Sequence, residues 1–258
     1  MSEIEIADRG AVRTITLDRP ESKNGVTVEI GRALVDAVRA PDAIRVLVLA
    51  GANGAFCSGL DLKDAMRRGI GGGAADGQAL RETFHGLIRA LVHGDRPAIA
   101  AVDGVAVGYG CDLALACDVR IVSERAQFGE VFVRRGLMPD GGGTFLLPRI
   151  VGVGRALELM YTGELVDADT AMRIGLANRV VPSGELAARA AELAERIAAG
   201  PPLAYAKIKR AVYASLDGDL DAALQREAEG QLELLGSRDF AEGLSAFLQK
   251  RAPRFQGR

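Results

Sequence analysis

The residues able to do chemistry fall in two glycine-rich turns and a small set of acids. Val102 to Val122 reads VDGVAVGYGCDLALACDVRIV; an apolar run from Ala98 enters it, Gly104, Gly108 and Gly110 break it, and Leu113, Leu115 and Ala116 resume an apolar period. Strand, glycine turn and helix start leave main-chain N–H groups without intrahelical acceptors, at the end carrying partial positive charge. Such a turn can receive an oxyanion. A tight turn between two core elements would read the same way. Gly51 to Lys63, GANGAFCSGLDLK, is a second turn of this kind, and a helix starting at Asp61 would bring the Leu60 N–H near another helix end.

The acids that could work beside such donors are Asp112, Glu130 and Asp140. Asp140 precedes three glycines and then Thr144, Phe145, Leu146 and Leu147, which is the position of a helix N-cap; as a cap alone it would contribute about 1 kcal/mol. Glu130 lies two residues before Phe132, and on an extended segment the two would share a face.

The elements that must position these residues alternate strand and helix. Ile4 to Ile6 and Val12 to Leu17 flank Arg9-Gly10 as a hairpin. DRPESKN, Asp18 to Asn24, is turn chemistry, and Asn24-Gly25 permits positive φ. A helix is expected from a Thr27 cap to Arg39, then a doubly buried strand, Ile44 to Ala50. Arg67 to Gly77, RRGIGGGAADG, has no apolar period and reads as a mobile loop, either a substrate lid or a surface insertion. His85 and His93 fall on an expected helix, Asp76 to Gly94, as surface or packing residues. Ala126 to Gly129 reads as a short edge strand, and later helices and a strand at Arg179 to Val181 lead to Ala199; from about residue 200 the pattern is helical throughout. The expected division is a core of residues 1–199 and a C-terminal helical region, 200–258.

Composition narrows the partners. With 32 basic and 34 acidic residues among 258 and no long run of one sign, nothing offers the basic face that nucleic acid requires. Cys57, Cys111 and Cys117 are odd in number, lack CxxC spacing and sit in apolar surroundings, as buried free thiols do. Two histidines make a multi-histidine metal site hard to build. The charged start, MSEIEIADRG, and the interrupted apolar segment Pro97 to Cys117 argue against a signal peptide or membrane span, so a soluble cytoplasmic protein without a metal is expected.

Five stretches in register resemble the enoyl-CoA hydratase/isomerase (crotonase) superfamily over nearly the whole chain. They are VRTITLDRPESKN from Val12, GAFCSGLDLK from Gly54, VDGVAVGYGCDLALACD from Val102, LMPDGGGTFLLPRIVG from Leu137 and EGLSAFLQKRAPRF from Glu242. The resemblance implies an α/β fold, a spiral of ββα repeats with a C-terminal helical trimerisation region, assembled as homotrimer or hexamer. It implies an acyl-CoA substrate whose CoA is the only cofactor. The oxyanion hole falls on the N–H groups of Leu60 and Tyr109, where the second position is usually glycine. CoA would be held by Lys23, by Ala55, Phe56, Ser58, Gly59 and Asp61 of the first oxyanion loop, and by Lys63 near its phosphates. Hydratases of the family use two glutamates, at positions that here read Asp112 and Phe132. The remaining acid, Asp140, stands where ring-cyclising, dehalogenating and some isomerising branches place an aspartate, and the last two motifs look most like the 1,2-epoxyphenylacetyl-CoA isomerase branch. The expectation is therefore an isomerase with Asp140 as single proton shuttle and Glu130 as reserve. Hydration by Asp112 with Asp140, covalent catalysis by Asp140 and CoA binding without turnover are the alternatives.

Overall fold

A computed structural model describes residues 3–39, 41, 43–69 and 73–258. The strands are β1 (Ile4–Arg9), β2 (Val12–Leu17), β3 (Val46–Gly51), β4 (Ala98–Val102), β5 (Val105–Val107), β6 (Val119–Ser123), β7 (Gln127–Gly129), β8 (Val166–Asp167) and β9 (Arg179–Val181). They form a six-stranded sheet in the order β1-β2-β3-β4-β6-β9 and a three-stranded sheet, β5-β7-β8. Only the β1–β2 hairpin of the larger sheet is antiparallel. Its parallel strands need crossover connections, which is why apolar runs and helical segments alternate in the chain.

The central strands are buried on both faces. Leu47 and Leu49 of β3, with Ala98, Ala100 and Val102 of β4, join one apolar cluster; Val46, Val48, Ile99 and Ala101 join another on the opposite face. Helix α1 (Val28–Val38) contributes Ile30, Leu34 and Val35 to the first cluster, and the Thr27 hydroxyl caps it by accepting the Ile30 N–H. Helix α2 (Leu62–Arg67) is capped by Asp61, as expected of a helix starting there.

Both ends of the expected loop at 67–77 are helical. Arg67 ends α2, and α3 (Ala74–Ala79) begins just beyond; residues 70–72 of the expected lid lie outside the described residues. From α3 the chain runs through a single π-turn, Leu80–Phe84, into α4 (His85–Val92). The site helices follow as α5 (Tyr109–Leu115) and α6 (Gly143–Val151), then α7 (Val153–Thr162) and α8 (Ala168–Arg173). Helix α9 (Leu186–Ala198) lays Leu186, Ala190, Leu193 and Ala194 on the second face of the sheet.

Beyond it come α10 (Pro202–Ser215), α11 (Leu220–Leu235) and α12 (Arg238–Leu248). Lys209 ties α10 to the core through a buried ion pair with Asp118 at 2.8 Å. These helices still expose apolar side chains, including Ile208, Val212, Leu224, Phe247 and Leu248. No helix among the described residues is long and apolar enough to cross a membrane. The three cysteines are buried and free.

Candidate active site

Three segments are stitched together by main-chain hydrogen bonds around a cavity of about 780 Å³. The first is the 18–26 turn, where Lys23 and Asn24 adopt positive φ and the Asn24 amide donates to the carbonyls of Ala52 and Ala55. The second is the 56–61 loop. Its Gly59 carbonyl accepts the Val26 N–H and its Asp61 N–H donates to the Val26 carbonyl, so the Leu60 N–H between them points the other way, toward the cavity that Leu60 lines. The third is β5 with the turn at Gly108 into α5. Tyr109 opens that helix, so its N–H has no acceptor one turn earlier.

Gly59 explains how the two N–H groups come together. A Cβ built there would stand 2.9 Å from the Val107 carbonyl oxygen and 3.3 Å from the Tyr109 nitrogen, and its φ is +96°. Only glycine permits this approach. The Tyr109 phenol points away from the cavity: its hydroxyl donates to the Phe84 carbonyl at 2.9 Å and its ring meets Phe84 edge-on.

The acids separate by depth. Asp140 lines the cavity, with Oδ1 buried and without a hydrogen-bond partner. Burial raises its pKa above the ordinary value, and the nearby His85 pulls in the opposite direction. Asp112 and Glu130 do not line the cavity; they are 0% and 1% exposed and lie behind it. Burial, reinforced by the Glu130 charge, pushes Asp112 well up, and burial raises Glu130 to about 7.

Two expectations are corrected here. Asp140 does not cap α6: the N-cap is Gly142, and the nearby Gly141 N–H is taken by Asp112 at 2.9 Å. Asp112 arrives from another helix and holds the turn just ahead of the cap. Nor is the segment after Glu130 extended. Val131–Arg135 is a 3-10 turn, whose three-residue period puts Phe132 on the cavity wall while Glu130 faces inward.

His85 is a residue that the sequence reading passed over. It is half-buried, and its Nε2 lies 2.7 Å from the Asp140 carbonyl oxygen, where a ring N–H would hold the acid's own main chain. Its approach follows from the π-turn at Leu80–Phe84, in which the His85 N–H reaches back five residues to the Leu80 carbonyl. A proline-free apolar helix gives no local signal of that turn.

Of the residues expected at CoA, Lys23, Ser58, Gly59, Asp61 and Lys63 line the cavity, joined by Arg67. Ala55 and Phe56 are buried, 5% and 0% exposed, and lie outside the lining. Asp61 is engaged by the Arg19 guanidinium at 3.0 Å and by the cap of α2.

The whole chain, with these paired loops in it, is similar to known proteins. Residues 7–258 match a family model described as Enoyl-CoA hydratase/isomerase. The chain belongs to the enoyl-CoA hydratase/isomerase family. Within it, a "probable enoyl-CoA hydratase" of Rhodobacter capsulatus is 43% identical over 98% of this chain and 97% of its own. The 1,2-epoxyphenylacetyl-CoA isomerase of Escherichia coli is 38% identical over 96% and 95%. The solved structure of an enoyl-CoA hydratase from Bacillus anthracis superposes with a TM-score of 0.94 at 34% identity, covering 100% of both chains. The crotonase fold expected from the motifs is therefore this chain's fold. As a member of that family, the chain acts on CoA thioesters.

Proposed function

We propose that the chain is an acyl-CoA isomerase working with one carboxylate. The thioester oxygen lies between the N–H groups of Leu60 and Tyr109, each worth about 3 kcal/mol to a developing oxyanion. Asp140 removes a proton from the carbon next to the thioester of a 3-enoyl-CoA; the electron pair delocalises onto the thioester oxygen, and the proton returns two carbons further on to give the conjugated 2-enoyl-CoA. Lys23, Lys63 and Arg67 face the CoA phosphates, while Ser58, Gly59 and Asp61 form the wall beside them. Ala55 and Phe56 support that wall from behind. The step uses no group beyond the chain and its substrate.

One observation carries this reading. Asp140 lines the cavity with its buried Oδ1 free of a hydrogen-bond partner, whereas Asp61 is bound by Arg19 and position 132 is phenylalanine. Hydration needs one group to orient water and another to deliver a proton, and Asp112 stands behind the wall rather than on it. Hydration remains the second reading because the 43% identical relative carries a hydratase name. Supplying 2-enoyl-CoA and 3-enoyl-CoA side by side separates the two: isomerisation creates the conjugated-enoyl absorbance from the 3-enoyl substrate, and hydration removes it from the 2-enoyl substrate. Loss of absorbance with no gain from the 3-enoyl substrate overturns the isomerase reading.

The same reading places neighbouring copies of this chain, as a homotrimer or hexamer, over the C-terminal region 200–258. Phe247 and Leu248 are 80% and 71% exposed on one chain, which is costly unless another surface covers them. Light scattering checks the mass, and truncation after Gly236 is expected to give monomers or aggregates.

A further inference from the structure

Behind the cavity, Asp112 and Glu130 form a buried acid pair that the proposed proton shuttle does not use. Among the described residues neither forms an ion pair, and Asp112 Oδ1 and both Glu130 carboxyl oxygens are buried without a well-formed hydrogen bond, the Cys111 thiol beside Glu130 and the Gly143 N–H beside Asp112 being the donors at hand. The two carboxyls converge on the start of α6. A Cβ built at Gly143 would stand 2.3 Å from Asp112 Oδ1 and 3.0 Å from Glu130 Oε1, and one at Gly141 would stand 2.7 Å from Asp112 Oδ2. The glycine run beside Asp140 is therefore seated directly on the pair. Asp112 Oδ2 also accepts the Gly141 N–H at 2.9 Å, one residue from Asp140, whose carbonyl is met from the other side by His85.

Two buried carboxylates this close cannot both carry charge, and an unshared pair would leave three buried oxygens without a well-formed hydrogen bond. A single proton between them answers both problems at once. We propose that Asp112 and Glu130 share one proton and act together as positioning residues, fixing the 141–143 turn and through it Asp140 for proton transfer. The inference rests on Asp140 being the shuttle, but the pair itself does not depend on it. The groups facing the pair are Cys111 and Tyr109 on α5 and Asp140 in the turn, with His85 of α4 beyond Asp140.

The test compares Asp112→Ala, Asp112→Asn and Asp140→Asn on a short-chain 3-enoyl-CoA. Asp112→Ala releases the turn, and kcat is expected to fall on the order of a hundredfold with KM within about threefold, the size of effect a small misplacement of a reacting group produces. Asp112→Asn keeps an acceptor for Gly141 and gives Glu130 a permanent donor, so it is expected to recover most of that loss. Equal losses in the alanine and asparagine variants would overturn the positioning role and point to Asp112 moving a proton itself. An active Asp140→Asn enzyme would instead remove the shuttle reading, a distinct failure.

A second measurement needs no turnover. The folded pair keeps a proton that the unfolded chain releases near the ordinary carboxylate value, so its contribution to stability is full at low pH. It is lost as pH rises above the ordinary carboxylate range through the raised values of both acids, about 7 for Glu130. The unfolding midpoint of the wild type should drop across that window, and Asp112→Asn should flatten the drop. Parallel curves for the two proteins would refute the shared proton.

Discussion

The chain enters α5 and α6 in the same manner, through glycine, and at neither N-cap does a side chain of the cap residue accept a hydrogen bond. At α6 the turn is braced from elsewhere: Asp112 takes the Gly141 N–H just before the cap, and the carboxyl pair packs against Gly143. At α5 the Tyr109 N–H has no acceptor one turn back, and the cavity beside it brings the Leu60 N–H and Asp140 into range. A glycine turn at a helix start is thus a neutral device. Whether it becomes a brace or a binding site is decided by what the rest of the fold places against its N–H groups.

The largest expected effect tests the acid between these two turns. Asp140 accepts no helix N–H, so Asp140→Asn should leave the unfolding midpoint within a few degrees while kcat falls roughly a hundredfold to ten-thousandfold and CoA thioester binding survives. A variant that keeps most of its turnover would transfer the chemistry to the brace side, to Asp112 or Glu130. Next in size is the open donor itself. Tyr109→Pro deletes the N–H at a first helical position that tolerates proline, whereas Tyr109→Ala removes the same side chain and keeps the N–H. Relative to alanine, proline should cost about a hundredfold in kcat. Equal rates would show that the turn before α5 is no more a site than the turn before α6.

The contrast also marks what could be read from the sequence. The hairpin, the Thr27 cap, a helix start at Asp61, the positive φ at Asn24 and the two glycine turns are written in adjacent residues, while the fold and family came from the resemblance of five longer motifs. The expectation that Asp140 caps α6 failed because the helix starts only after Gly142, while the turn before it is held by Asp112, 29 residues from Gly141 and in reach only in the folded chain. The condition under which Glu130 would share a face with Phe132, an extended segment, is not met: a 3-10 turn rotates it off that face. His85 looked like a packing residue because its partner is a main-chain carbonyl 55 residues on, and carbonyls leave no trace in residue types.

The brace side has its own test, of intermediate size. A methyl group at Gly143 would overlap Asp112 Oδ1, and neither it nor the buried pair has free space to retreat into. Gly143→Ala should destabilise the protein by about 1 to 3 kcal/mol and lower kcat by roughly tenfold through displacement of Asp140, with a smaller effect on KM. A change in KM alone would mean that the turn shapes the substrate pocket without holding the acid.

The smallest expected effect sharpens the claim that position 109 works through its backbone. The phenol hydroxyl is buried and spent on the Phe84 carbonyl at 2.9 Å, on the far side of the residue from the cavity. Tyr109→Phe keeps the ring, its edge-on contact with Phe84 and the N–H, and deletes only that hydrogen bond. The carbonyl left without its donor should cost about 1 to 3 kcal/mol of stability, measurable as a lower unfolding midpoint. Turnover should stay within about threefold, because stabilisation of the oxyanion comes from a main-chain group the substitution does not touch. Burial beside Asp112 holds the phenol's pKa well above its ordinary value of 10, so the hydroxyl is a poor proton donor at neutral pH, and the wild type and Tyr109→Phe should share one pH–rate profile. A hundredfold loss in Tyr109→Phe with an intact fold would place the phenol in the reaction and undo the assignment of the open turn to its backbone.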